Sequence, residues 1–357
     1  MTKYRVMVVG MGKRGKHHAF GFKANPNFDV AAICDIVPTA LPDLAAQLGN
    51  PAYGTDAAKL AREVKPDVFC FCTHPHIRYD LIDLGVTCGA KLIAFEKPLA
   101  ATTQDAFRIK KLLDAHPAVK VVVSHQHRYG KHYQRVKEIA ASGALGRIHT
   151  VYASTPGWML HMCTHMIDYM RWYAGNPAAE WVMAQAAGKS KLTDNHPSPD
   201  YIAGFIQFAG GIRGVLECGA GAPDQPEVAK WWGKNRICVQ GTEGFAEVLT
   251  NGGWRAVTKA GATSGDGVMN YDLDMPPYIQ EMADWLDGRS PSHQNCFANA
   301  YAGFEIMAGM CRSVIEGGQV ALPLQGEGMD EIAALKKALP DRRVLLGSPL
   351  HAAEFKL

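Results

Sequence analysis

Tyr4-Arg-Val-Met-Val-Val-Gly10-Met-Gly12-Lys13-Arg14-Gly15-Lys-His-His-Ala19 decides the fold. A β-rich run over residues 3–9 enters three glycines in Gly-x-Gly-x-x-Gly spacing, and a helical pattern follows over residues 16–24. In such a strand-to-helix turn, Gly10 and Gly12 let the backbone bend tightly and approach a pyrophosphate. Gly15 allows close helix packing, and the helix N-terminus offers unpaired N–H groups to the anion. Lys13 and Arg14 stand in the same turn. The second predicted strand, residues 28–35, ends on Asp35, 20 residues beyond Gly15, where a carboxylate would hold the ribose hydroxyls of an adenosine. That carboxylate repels a 2′-phosphate, and residues 36–39 supply no Arg to receive one, so the expected cofactor is NAD rather than NADP.

Outward from this turn, strand and helix patterns alternate. Helices are predicted over residues 42–48, 57–63, 77–85 and 103–115, and strands over residues 68–73, 91–95 and 119–124. This alternation predicts an α/β fold whose N-terminal part, residues 1–124, is a doubly wound Rossmann domain on a parallel sheet. After His125 the pattern changes to longer alternating runs over residues 148–154, 181–188, 200–208, 212–219, 236–241 and 245–250. These read as strands with one exposed face in a large, mostly antiparallel open sheet. Helices are expected over residues 131–142, 163–174, 277–288 and 298–317, and loops over 189–199 and 222–235. Residues 125–324 thus form a second α/β domain for substrate binding and oligomerisation. The tail, residues 325–357, carries an amphipathic helix and an extended end without an assigned role.

Of the 357 residues, 47% are apolar and 20% charged, near the globular average, and the length suits two cores. The net charge of +3 is spread along the chain, so no nucleic-acid partner is expected. No apolar run reaches the length of a signal segment or a membrane span, which predicts no membrane association. Nine cysteines at irregular spacing read as reduced thiols, and a cytoplasmic location is expected.

Lys91-Leu-Ile-Ala-Phe-Glu96-Lys97-Pro98 ends a buried strand on two charges and a proline. Ligands of open α/β sheets gather at the carboxyl ends of strands, which places Glu96 and Lys97 near a bound nicotinamide. Thr73, His74 and His76 follow the strand beside it and are further candidates for cofactor contact. His161-Met-Cys-Thr-His165-Met-Ile-Asp168 offers two imidazoles four residues apart on a predicted helix. That spacing also suits metal ligands, but no third ligand is indicated and no metal is expected. Arg128, Tyr129 and Trp158 are candidates for substrate contact, and Trp231 and Trp232 flank a loop from which they could stack on a sugar ring.

The glycine motif, Lys65-Pro-Asp-Val68, Glu96-Lys97-Pro98 and His161 to Asp168 together resemble the glucose-fructose oxidoreductase, inositol dehydrogenase and rhizopine-catabolism (Gfo/Idh/MocA) superfamily. The likeness runs from about residue 3 to Pro323 and includes Ala141-Ser-Gly-Ala-Leu-Gly146, Gly241-Thr-Glu-Gly244 and Val320-Ala-Leu-Pro323. The resemblance implies a catalytic Lys97 and a second domain carrying a substrate-facing sheet and subunit contacts. The family usually shows Asp-x-x-x-His-x-x-Asp; here His161 stands at the first Asp, with His165 and Asp168 in place. Tyr79 stands where the family often has His.

An alcohol oxidation needs a base for the hydroxyl proton while hydride leaves carbon. A desolvated lysine near other cations can serve near neutral pH. Lys97 is the expected acid/base, with His165 as partner and His161 shaping the substrate site, where it would favour an anionic ligand. The expected protein is an NAD-dependent oxidoreductase of a sugar, cyclitol or glycoside hydroxyl, working as a homo-oligomer, dimer or tetramer. Relatives that retain NAD for isomerisation, elimination or glycoside cleavage, and non-catalytic dinucleotide sensors, are the alternatives.

Overall fold

The computed structural model describes residues 3–229 and 233–341. Contacts divide the chain into two compact units. The first takes in the described residues up to Ala100, then Asp105–Tyr129 and Asn270–Ala298; the second holds Ala101–Gln104, Gly130–Met269 and the described residues from Asn299 onward.

In the first unit the chain runs β1 (Tyr4–Val9), α1 (Lys13–Ala24), β2 (Phe28–Cys34), α2 (Leu41–Leu48), β3 (Ala52–Gly54), α3 (Ala57–Val64), β4 (Val68–Phe71), α4 (Arg78–Thr87), β5 (Leu92–Glu96), α5 (Thr103–Asp114) and β6 (Lys120–Ser124). The strands form one parallel sheet in the order β3-β2-β1-β4-β5-β6. Strand order reverses between β1 and β4, which opens a crevice at their carboxyl ends. β4 and β5 are buried along their whole length, as strands covered on both faces must be.

The second unit adds α6 (Lys131–Ala141), β7 (Ile148–Thr155), a π-turn over Met159–Cys163 that runs into α7 (Thr164–Tyr173), and β8 (Ala179–Ala187). β9 (Tyr201–Phe208), β10 (Ile212–Gly219), β11 (Arg236–Gly241), β12 (Gly244–Leu249), β13 (Gly253–Thr258) and β14 (Gly261–Gly265) follow. The chain closes with α8 (Tyr271–Leu286), α9 (Phe297–Glu316), β15 (Val320–Ala321) and α10 (Glu331–Ala338). The nine-stranded sheet has the order β14-β13-β12-β11-β7-β10-β9-β8-β15, with β7 and β10 parallel and the remaining pairs antiparallel. Alternation along the strands buries Val182, Ile202, Ile206 and Leu216 on one face. Met183 and Phe205 point the other way and stay 47% and 53% exposed.

The structure departs from the sequence reading at short or edge strands, β3, β13, β14 and β15, and at the start of α8. β3 is three residues long, too short to show a period. β13 and β14 are extra: the β14 sequence Gly-Ala-Thr-Ser-Gly has no apolar alternation and is made a strand by its pairing with β13. α8 starts six residues before the expected helix, because the Asn270 side chain accepts the N–H groups of Asp272 and Leu273 and caps it there. Pro276 and Pro277 therefore sit inside the helix rather than at its start. α8 belongs to the first unit, where Met275, Tyr278, Ile279 and Met282 join Phe22, Phe28, Val68 and Leu92 in one core. Trp231, Trp232 and the expected extended end of the tail lie outside the described residues.

Within the second unit, the tail is anchored by a buried polar group. The Glu331 carboxylate accepts the Thr103 N–H at 2.8 Å and the Thr103 hydroxyl at 2.5 Å. Arg312 of α9 donates to Glu331 at 3.1 Å and to the Thr103 hydroxyl at 2.8 Å. A buried charge left without its partner is costly. Glu331→Ala is expected to lower unfolding stability by about 3–5 kcal/mol, read from the urea midpoint, with Glu331→Gln costing less.

Candidate functional site

The glycine turn is built by close approach. Gly10 has φ +83°, and a Cβ there would lie 2.6 Å from the Cys72 carbonyl oxygen. A Cβ on Gly15 would lie 1.8 Å from the Gly10 carbonyl oxygen, so α1 could not pack against the turn with any larger residue. At Gly12, the N-cap of α1, a Cβ would meet nothing within 4 Å, which leaves open space before the helix N-terminus. The first turn of α1 carries Lys13 and Arg14 and no acid. Cations at the positive end of a helix are unfavourable on their own, whereas a pyrophosphate would satisfy both them and the free N–H groups.

Asp35 follows β2 and accepts the Met11 N–H at 2.6 Å and the Val37 N–H at 2.9 Å, tying it to the glycine turn. Ile36 beside it is 88% exposed. After β4, the Thr73 hydroxyl oxygen is buried without a hydrogen-bond partner at the switch point. His74 and His76 are exposed and stack with ring centroids 6.0 Å apart. Open space before α1, two cations there and an orphaned hydroxyl at the crevice fit a dinucleotide. Gly10, Gly12, Lys13, Arg14 and Gly15 would hold its phosphates, and Asp35 a ribose.

β5 delivers Glu96 and Lys97. Glu96 is buried, 3.2 Å from the His18 imidazole and 3.3 Å from the Gln126 amide that donates to it. Burial opposes ionisation of both partners. For Glu96 the hydrogen bond from His18 and the charge of Arg14 outweigh it and hold the carboxyl well below the usual range. For His18, contacts with Cys72 and Glu96 raise its pKa despite burial. Arg78, at the start of α4, is 1% exposed and donates to four backbone carbonyls. Those of Glu96 and Pro98 share one terminal nitrogen, while those of Thr73 and Lys97 lie 3.2 Å from the other. This one guanidinium ties the tips of β4 and β5 together.

The Lys97–Pro98 bond is cis, and Lys97 itself is half-buried. Burial lowers its pKa to about 8, against the raising effect of Glu96 and with help from Arg14 and Arg78. Arg14 is itself fixed 3.6 Å over the Tyr271 ring. The Tyr271 hydroxyl lies 3.5 Å from His127, which in turn meets Asp274 at 3.2 Å.

Other sequence candidates divide between the units. In the first, Arg128 is buried and donates to the Gln294 carbonyl at 3.2 Å, and the Tyr129 hydroxyl bonds Glu281 and lies 3.4 Å from His293. In the second, α7 falls where the helix over residues 163–174 is expected and carries His165, while the π-turn just ahead of it carries His161. The ideal four-residue spacing read from sequence passes through that wider turn. His165 Nδ1 lies 3.1 Å from the Tyr169 hydroxyl. His161 stands with its ring centroid 5.6 Å from that of His196, and the Lys191 ammonium lies 5.3 Å over the Trp158 ring.

Sequence reasoning did not assign Arg78, His18, Gln126 or Tyr271 to the site. The adjacent histidines 17 and 18 were a usable signal, since His18 falls on the buried face of α1.

A glycine turn at the switch point of a parallel sheet, an acid at the end of β2 and a lysine at the tip of β5 define an NAD-binding oxidoreductase. Two family descriptions match: "Oxidoreductase family, NAD-binding Rossmann fold" over residues 4–125, and "GFO/IDH/MocA C-terminal domain" over residues 153–247. The chain belongs to the Gfo/Idh/MocA family of oxidoreductases. Inositol 2-dehydrogenase of Rhizobium meliloti (strain 1021) is 24% identical over 302 residues, 79% of this chain and 86% of the relative. The rhizopine catabolism protein MocA of Rhizobium meliloti is 23% identical over 265 residues, 69% of this chain and 78% of its own. Among solved structures, an oxidoreductase from Agrobacterium radiobacter in complex with NAD+, L-tartaric acid and magnesium superposes with a TM-score of 0.77 at 17% identity, covering 90% of this chain and 98% of that one.

Replacing Asp35 with Ser and Ile36 with Arg removes the repelling carboxylate and adds a phosphate partner. The double variant is expected to move the NAD:NADP ratio of kcat/KM by roughly 10- to 100-fold towards NADP, measured with any substrate that turns over.

Proposed function

We propose that the protein is a dehydrogenase of a sugar, cyclitol or glycoside hydroxyl in which Lys97 accepts the hydroxyl proton and His165 is its partner. Bound NAD supplies the hydride acceptor. The observation that carries the reading is the setting of Lys97: a half-buried ammonium at a strand tip, its backbone held by Arg78 and its pKa brought to about 8. An amine that loses its proton near 8 can accept one from an alcohol at slightly alkaline pH and return it in the reverse direction. His165, oriented by Tyr169, is suited to hold the same hydroxyl or to share its proton. One of the relatives named above is an inositol 2-dehydrogenase, which favours a polyol ring as substrate.

Oligomerisation belongs to the same reading. The exposed sheet face with Met183, Phe205 and Tyr201 borders a cavity of about 750 Å³, and a second copy of the chain is the proposed cover. Light scattering behind a sizing column is expected to give at least a dimer, and Phe205→Glu to shift it towards monomer.

Lys97→Met is expected to lower kcat by roughly 10²–10⁴-fold while NAD still binds, followed at 340 nm and by cofactor fluorescence. In the unaltered enzyme, oxidation should rise with pH through a limb near 8, because only the neutral amine accepts a proton. Arg78→Met removes a neighbouring positive charge, so the Lys97 pKa should rise and the limb move to more alkaline pH. A limb that stays in place in Arg78→Met would overturn the assignment of that limb to Lys97.

A further inference from the structure

We propose that Tyr271 is a positioning residue for the cofactor: its ring, backed by His127 and Asp274, fixes the Arg14 guanidinium where it receives the NAD pyrophosphate. The inference rests on the assignment of Arg14 to the cofactor phosphates and adds the device that holds it there.

Three segments far apart in sequence build this device within the first unit. Arg14 lies in the first turn of α1, which holds no acid, so the positive end of the helix disfavours its charge. What places the side chain is an aromatic face: the guanidinium carbon lies 3.6 Å from the centroid of the Tyr271 ring. The His17 ring, one turn along α1, stacks on Tyr271 with centroids 5.7 Å apart and planes 28° apart, and its Nδ1 lies 3.5 Å from Arg14 Nη1. Burial, and after it the Arg14 charge, lowers the His17 pKa, which keeps the imidazole neutral and able to accept from the guanidinium.

Tyr271 is held in turn. It is the first residue of α8, just inside the Asn270 cap, so the helix start sets its backbone. Its hydroxyl lies 3.5 Å from His127 Nε2, and His127 Nδ1 lies 3.2 Å from the Asp274 carboxylate. A carboxylate beside Nδ1 takes the N–H there, which leaves Nε2 as an acceptor and makes the tyrosine hydroxyl the donor. His127 and Asp274 are 6% and 3% exposed, so the support is set in the packed interior.

An arginine that samples many rotamers loses that freedom when it grips an anion, and the loss weakens binding. Stacked on Tyr271, Arg14 is ordered beforehand. Stacking uses the face of the guanidinium, while its N–H groups lie in the plane and keep their direction for an anion. The location suits a diphosphate: open space lies before Gly12, two residues earlier, and the Arg14 charge acts on Glu96 and Lys97 at the tip of β5.

The test measures the affinity of the full chain for NAD, ADP and adenosine by calorimetry; none of these readouts needs turnover, so the dehydrogenase reading is tested apart. Tyr271→Leu is expected to weaken ADP and NAD by roughly 5- to 20-fold and adenosine by less than about twofold, whereas Tyr271→Phe, which keeps the ring, stays within about threefold of the unaltered protein for all three. Arg14→Lys keeps the charge without the planar stack, and should match Tyr271→Leu while leaving α8 untouched. In an Arg14→Met background, Tyr271→Leu should add nothing to the loss of ADP affinity. Equal losses for ADP and adenosine in Tyr271→Leu, or additive losses in the double variant, give Tyr271 a merely structural role and overturn the inference. Unchanged ADP affinity in Arg14→Met sinks the phosphate assignment and this inference with it. A loss in Arg14→Met that neither Tyr271→Leu nor Arg14→Lys reproduces leaves the assignment standing and removes the clamp alone.

Discussion

The first unit depends on a buried charge at the tips of β4 and β5. Arg78 is an arginine in the interior, and arginine enters an interior only where its donors are met. Here the backbone carbonyls of Thr73, Glu96, Lys97 and Pro98 meet those of its two terminal nitrogens, and its buried Nε alone has no acceptor. Burial lowers even this guanidinium to about 9, with Glu96 and Cys72 opposing the shift. The same desolvation acts on Lys97. A sheet tip that was merely exposed would leave the lysine a fully charged surface amine. Half-buried and close to the charges of Arg78, Arg14 and Glu96, its ammonium has its pKa lowered to about 8.

Much of this arrangement is legible from the sequence, and the rest is hidden for identifiable reasons. The glycine spacing, Asp35 and the alternation of short apolar strands with helices can be read directly, since each is a local pattern with one common structural solution. Arg78 cannot: a basic residue opening a helix reads as a solvated surface charge, and only the packed tips of β4 and β5 reveal its four acceptors. His18 and Gln126 are partners of Glu96 over separations of 78 and 30 residues, beyond any local pattern. Tyr271 reaches Arg14 from the far end of the chain.

The second unit obscures itself in another way. Its strands alternate cleanly where one face is buried, so β9 and β10 stand out, while β14, made of small residues at an edge, does not. His161 and His165 can be identified as a pair from spacing, but the π-turn beneath them leaves no mark in an apolar and polar pattern. The turn that brings His196 to His161 and Lys191 over Trp158 is rich in Asp, Asn, Pro and Ser. It reads as a loop, and only its hydrogen bonds give it a fixed shape.

The route of the chain through the two units has a consequence for biosynthesis. The core of the first unit includes Met275, Tyr278, Ile279 and Met282, so a nascent chain that has finished all six parallel strands still lacks a layer of its interior. The second unit is no more self-sufficient, because Glu331 meets Thr103 across 228 residues of chain. Domains made in one piece can fold in turn as the ribosome releases them. Here both wait for the last quarter of the polypeptide, and the interval before it arrives leaves apolar sheet surface open to chaperones.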